Sequence, residues 1–105
     1  MASEQDIARV TQVLAAAIPD ATIIRFGSHA RGTARPDSDL DVLVIEPSVT
    51  ARRREMVRLS DLLRPLRLPV DVVVVSRAAF EGWKDTAGTL LFDASREGKV
   101  LYAAA

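Results

Sequence analysis

Two β-branched runs frame one helical pattern, and that arrangement constrains the fold more than any other feature of the chain. The first run is DLDVLVIE, residues 39–46, and the second is PVDVVVVS, which begins at residue 69. Between them lies SVTARRREMVRLSDLLRPL, where Val49, Met56, Leu59, Leu62 and Leu63 form an apolar stripe at helical spacing and Pro65 helps end the helix. A strand, a helix and a strand in that order make a crossover, so the two strands are expected to be parallel. The second run is almost continuously apolar, as expected of a strand covered on both faces.

The flanking segments extend the alternation. Ser3 can cap a helix that carries Ile7, Val10, Leu14, Ala17 and Ile18, with Asp6 three residues after the cap. Pro19-Asp20 ends it, and ATIIRF, 21–26, reads as a strand. Gly27-Ser28 breaks that strand, SHARG can form one helical turn, and GTARPDS, 32–38, is a loop by composition. Ser76 can cap a short helix over RAAFEGW. A further helix fits TAGTLLFDASRE, closed by Gly98, and KVLYA is a last short strand. The expected architecture is α/β (α+β), a layered structure around a mostly buried sheet.

Length and charge bound the function. A chain of 105 residues is expected to form one domain, 1–105. Formal net charge is zero, so nothing draws the whole molecule toward nucleic acid or an anionic membrane. There is no cysteine, hence no disulfide framework and no thiolate metal site. The longest apolar runs fall far short of a membrane span, and MASEQDIARV has no signal-peptide pattern. The expectation is a soluble, cytoplasmic protein with no membrane partner.

Asp39 and Asp41 open a strand that should be buried. Strand side chains alternate, so the two point the same way. Asp71 stands inside the next apolar strand, where an ionised carboxylate is costly unless it is paired or binds metal. Three aspartates at neighbouring strand ends could converge on Mg²⁺, which prefers oxygen ligands and is commonly held by a few carboxylates plus substrate phosphate. A lone Asp-x-Asp has blander uses: Asp39 could cap a turn after Pro36, and Asp71 could pair with an arginine.

Gly27-Ser28 lies at a strand-to-turn junction. Backbone N–H groups at such a turn attract phosphate, and glycine lets a ligand approach the backbone closely. Arg31 or Arg35 could add phosphate contacts. Gly-Ser after a strand is usually a plain loop. Here, though, a phosphate cradle and a carboxylate pair occupy consecutive strands, with a third carboxylate on the strand that follows.

Together, GSHARGTARPDSDLDVLV, the later Asp71 and the ending REGKVLY resemble the DNA polymerase β-like nucleotidyltransferase superfamily, and within it the minimal, MNT-type domains. The likeness spans residues 20–102. It implies a small mixed sheet of about four strands flanked by helices. It also implies that Asp39, Asp41 and Asp71 are the catalytic metal ligands for two Mg²⁺ ions, with Asp71 on the acceptor side. Gly27 and Ser28 would hold the β- and γ-phosphates of a nucleoside triphosphate, with Arg31 as an additional contact. The implied reaction is attack of an acceptor hydroxyl on the α-phosphate.

The chain has no room for the acceptor-binding domains of larger relatives, so no nucleic-acid template is expected. MNT-type proteins resemble antitoxins paired with a HEPN-type toxin, a helical ribonuclease. That implies ATP as donor, a toxin tyrosine as the AMPylated acceptor, and room for an oligomer. Two alternatives stay open: a non-catalytic binding antitoxin, and a small-molecule, aminoglycoside-like nucleotidyltransferase.

Other residues read more plainly. His29 is expected to face solvent. Arg52, Arg53 and Arg54, with Arg58, could meet an acidic partner or RNA, but consecutive positions spread around a helix and fit a solvated face better. Phe80 and Trp83 suit a core or an interface, and Tyr102 suits packing.

Overall fold

The structure, a computed structural model, describes residues 3–27, 32 and 39–104. Along the chain lie α1 (Glu4–Ala17), β1 (Thr22–Phe26), β2 (Leu40–Glu46), α2 (Arg52–Leu63), β3 (Val70–Ser76), α3 (Arg77–Trp83), α4 (Leu90–Glu97) and β4 (Lys99–Ala103). A 3₁₀ turn, Arg64–Leu66, follows α2. The expected turn over SHARG and all but Gly32 of the 32–38 loop lie outside the described residues.

Local chemistry explains most boundaries. Ser3 and Asp6 form a complete capping box at the start of α1. Ser76 ends β3, and its hydroxyl accepts from the Ala79 amide, so one residue closes the strand and starts α3. Thr89 caps α4 by accepting from the Phe92 amide. The segment ahead of it is not helical, because Gly88 turns the chain with φ +86° and the Thr89 hydroxyl donates to Thr86 O. The helix expected from Thr86 therefore begins at Leu90.

Helix α2 also starts later than its apolar pattern suggests. Val49 precedes it, and Ala51 at the N-cap offers no side-chain bond. Leu59 and Leu63 are buried, whereas Leu62 lies at the flank of the stripe and is 43% exposed.

The four strands form one sheet in the order β3-β2-β1-β4. β2 and β3 are parallel, as the crossover requires, while β1 pairs antiparallel with both β2 and β4. The apolar β3 is thus an edge strand. Arg52 Nε reaches across to donate to Val74 O at 2.7 Å.

Both faces of the sheet are packed. Even-numbered Leu40, Val42 and Val44 join Val72, Val74 and the apolar faces of α1 and α2. Odd-numbered Leu43, Ile45 and Val75 lie under Phe80 of α3 and Leu91 and Ala94 of α4. Tyr102 packs against the first core and donates its hydroxyl to Pro19 O at 2.8 Å. Trp83 is 54% exposed at the end of α3. Among the described residues, no helix is long and apolar enough to cross a membrane.

Candidate functional site

Three strand ends meet at one edge of this sheet. β1 runs out at Phe26, opposite Asp41, and Asp41 is in turn the ladder partner of Asp71. Neighbours in register on parallel strands share a face, about 4.8 Å apart in the hydrogen-bonding direction. Asp41 and Asp71 therefore lie side by side on the odd-numbered face. Phe80, Leu91 and Ala94 cover that face over Leu43, Ile45 and Val75. Two positions nearer the strand starts, Asp41 is half-buried and Asp71 exposed.

Asp39 is exposed and stands one residue outside β2, whose ladder begins where the Leu40 amide donates to Pro69 O at 2.8 Å. Leu40, Val42 and Val44 pack on the opposite face from the carboxylates, as alternation requires.

Gly27 follows β1 directly. Its φ of +74° is a backbone conformation that L side chains rarely adopt. A Cβ there would collide with Asp41 Oδ2 and stand 3.2 Å from the carboxyl carbon. The turn after β1 is therefore packed against one carboxylate of the pair, and only glycine leaves that carboxylate its place.

Of the residues singled out in the sequence, the structure brings Gly27, Asp41 and Asp71 together, with Asp39 at the mouth of the same strand end. Ser28, His29, Arg31 and Arg35 lie outside the described residues. Among the described residues, no group of three or more acidic or histidine side chains could hold a metal ion. The donors that do stand together, the Asp41–Asp71 pair, are hard oxygen ligands on adjacent strands, which suits Mg²⁺ rather than a thiophilic metal.

A second ionisable cluster was not anticipated. Glu46 ends β2, is only 8% exposed, and has Oε2 buried with no hydrogen-bond partner. Burial, and then the adjoining Glu55, push its pKa up to about 7. Glu55 is held down at about 2, chiefly by Arg58, whose guanidinium donates to both its oxygens at 2.7 and 2.9 Å. Glu46 lies five residues past Asp41 on the opposite face, roughly 17 Å along the strand at the usual rise. The sequence signal was a carboxylate at the end of an apolar strand, VLVIE, followed by proline.

The family profile that describes a nucleotidyltransferase domain matches residues 7–95. The chain belongs to that family. The match takes in β1, β2 and β3 and so all the carboxylates of the site. No curated protein gives a match. Among solved structures, a candidate nucleotidyltransferase from Sulfolobus solfataricus aligns with a TM-score of 0.67 at 18% identity, over 94% of this chain and 78% of that one. A toxin–antitoxin complex with AMP-PNP aligns with a TM-score of 0.60 at 25% identity, over 97% and 74%. A third is the tri-AMPylated HEPN toxin of Shewanella oneidensis in complex with MNT antitoxin. It aligns with a TM-score of 0.60 at 21% identity, over 95% and 71%. The mixed four-stranded sheet with helices on both faces is the fold of this nucleotidyltransferase family.

Proposed function

We propose that this nucleotidyltransferase domain transfers AMP from ATP to a hydroxyl of a partner protein, a tyrosine of a HEPN-type toxin, and so acts as an antitoxin. The observation that carries the reading is the Gly27 turn packed against Asp41, with Asp71 beside it in register. A phosphate-cradling turn and paired carboxylates at one sheet edge are what nucleotidyl transfer needs. The toxin–antitoxin structures that share the fold support the choice of acceptor, since one holds AMP-PNP and another an AMPylated toxin.

The residues take the following roles. Gly27 and Ser28 hold the β- and γ-phosphates, with Arg31 contributing charge. Asp41 and Asp71, which stand side by side, would hold Mg²⁺ with Asp39 at the same strand end, and the ion would supply charge neutralisation for the phosphates and the carboxylates. Asp71, exposed on the outer strand, faces the acceptor and takes up the proton of the attacking hydroxyl. The acceptor oxygen bonds to the α-phosphorus, the bond from that phosphorus to the bridging oxygen breaks, and pyrophosphate leaves. Most of the rate enhancement is then positioning and charge neutralisation.

The test is peptide mass spectrometry of the protein that co-purifies with the chain from its native cells. AMP on a tyrosine of that partner, lost when the chain carries Asp41→Asn, supports the reading. An unmodified partner that is still neutralised would replace it with inhibition by binding alone.

A further inference from the structure

The outer face of α2 carries a groove whose lining reaches Asp71. It has a volume of about 360 Å³, and its lining includes Arg53, Met56, Val57 and Asp61 of α2, Arg64 of the 3₁₀ turn that follows, and Asp71 of the edge strand β3. Arg53, Val57, Asp61 and Arg64 follow one another at helical spacing, so they form a single stripe beside that strand. Toward the start of the helix the groove adjoins a broader depression of about 580 Å³ around Arg52, Arg53, Arg54 and Val57.

The chemistry of this groove is mixed. Val57 is 56% exposed, an apolar side chain left at the surface. Arg53 makes no ion pair among the described residues. Arg64 pairs with Asp61, but both side chains are more than half exposed, and such pairs contribute little and exchange partners readily. The groove therefore sets two cations and two carboxylates, Asp61 and Asp71, around an apolar strip, and Arg53 is the cation left without an ion pair among the described residues. Those two carboxylates repel a continuous row of phosphates more than a single carboxylate seated on Arg53, which disfavours RNA. Zero net charge on the whole chain leaves no long-range attraction for RNA either.

We propose that this groove seats the acceptor itself: a protein segment in which an acidic residue and an apolar residue flank the hydroxyl that receives the nucleotide. The inference rests on the nucleotidyl-transfer reading, because it takes Asp71 as the acceptor-side acid. The acidic residue pairs with Arg53 and Arg64, the apolar one covers Met56 and Val57, and the hydroxyl is delivered to Asp71. Arg54 also belongs to α2 but lies outside this groove, so it provides a control of equal charge.

The experiment is fluorescence anisotropy with three probes: a short peptide with tyrosine flanked by glutamate and leucine, the same peptide with lysine for glutamate, and a single-stranded RNA of equal length. The acidic peptide is expected to bind roughly tenfold more tightly than the other two, with a preference that weakens in salt. Arg53→Glu/Arg64→Glu abolishes the preference and Arg53→Gln/Arg64→Gln reduces it, while Arg54→Glu keeps it. Circular dichroism verifies that each variant is folded. Equal binding of the three probes, preference for RNA, or a preference that survives Arg53→Glu/Arg64→Glu overturns the proposal. Because binding is read without transfer, loss of nucleotide transfer with this preference intact counts against the catalytic reading alone.

Discussion

Gly27 and Asp41 fit together only because Gly27 has no side chain: a Cβ there would collide with Asp41 Oδ2. The positive φ of Gly27 and the place of the carboxylate are thus one constraint, in which the turn after β1 and the start of β2 each limit the other.

Gly27→Ala is expected to cost about 1–2 kcal/mol of stability from backbone conformation alone. Its larger effect falls on transfer, which should drop roughly a hundredfold because the carboxylate is displaced. Thermal unfolding and the initial rate of nucleotide transfer, measured on one preparation, separate the two. A rate that falls no more than stability explains would remove Gly27 from the site.

Asp71→Asn removes a charge from an exposed position, so stability should change by no more than about 0.5 kcal/mol. If Asp71 takes up the acceptor proton, transfer falls by roughly a hundredfold or more while the affinity for the nucleotide is largely kept. A folded variant that transfers at the wild-type rate would assign the proton to another group.

The Glu46–Glu55 pair predicts how stability varies with pH. Glu46 has its pKa raised to about 7 in the folded chain, so its contribution is complete below the usual carboxylate range and is lost as pH rises through about 7. Glu55 is lowered to about 2, so its contribution is present above the usual range and is lost as pH falls toward about 2. Tm should therefore decline by several degrees, roughly, between pH 5 and pH 8. Glu46→Gln, which keeps the shape and stays neutral, should flatten that slope. A slope of equal size in the variant would place its origin elsewhere.

Much of this molecule was legible because local signals agreed with one another. Ser3 with Asp6, Ser76 before RAAFEGW, and the β-branched runs on either side of α2 each fixed an element by chemistry within a few residues. The parallel pairing of β2 and β3 followed from the length of the crossover between them. Strand order did not: the apolar run PVDVVVVS is covered on both faces as expected, yet its edge position depends on pairings between distant segments that a local pattern does not encode. Helix α4 starts later than its composition suggests, because Gly88 and Thr89 turn a chain that otherwise suits a helix. Within the site, alternation correctly put Asp41 on the face away from Leu40, Val42 and Val44. Asp71 stands out in the sequence as the third acid, but its place directly beside Asp41 depends on the strand register, and the contact of Gly27 with Asp41 depends on a backbone angle. Glu46 was missed because a carboxylate at a strand end is ordinarily solvated, and only the fold of α2 across it buries it.

The most direct measurement is label transfer. The purified chain, together with the protein that co-purifies with it, is given Mg²⁺ and ATP labelled at the α-phosphate, alongside an Asp39→Ala/Asp41→Ala variant shown to be folded. Label is expected on a tyrosine of the partner with the wild-type chain and none with the variant. A folded wild-type chain that leaves its partner unlabelled, or label that persists in the variant, would contradict the proposed transfer.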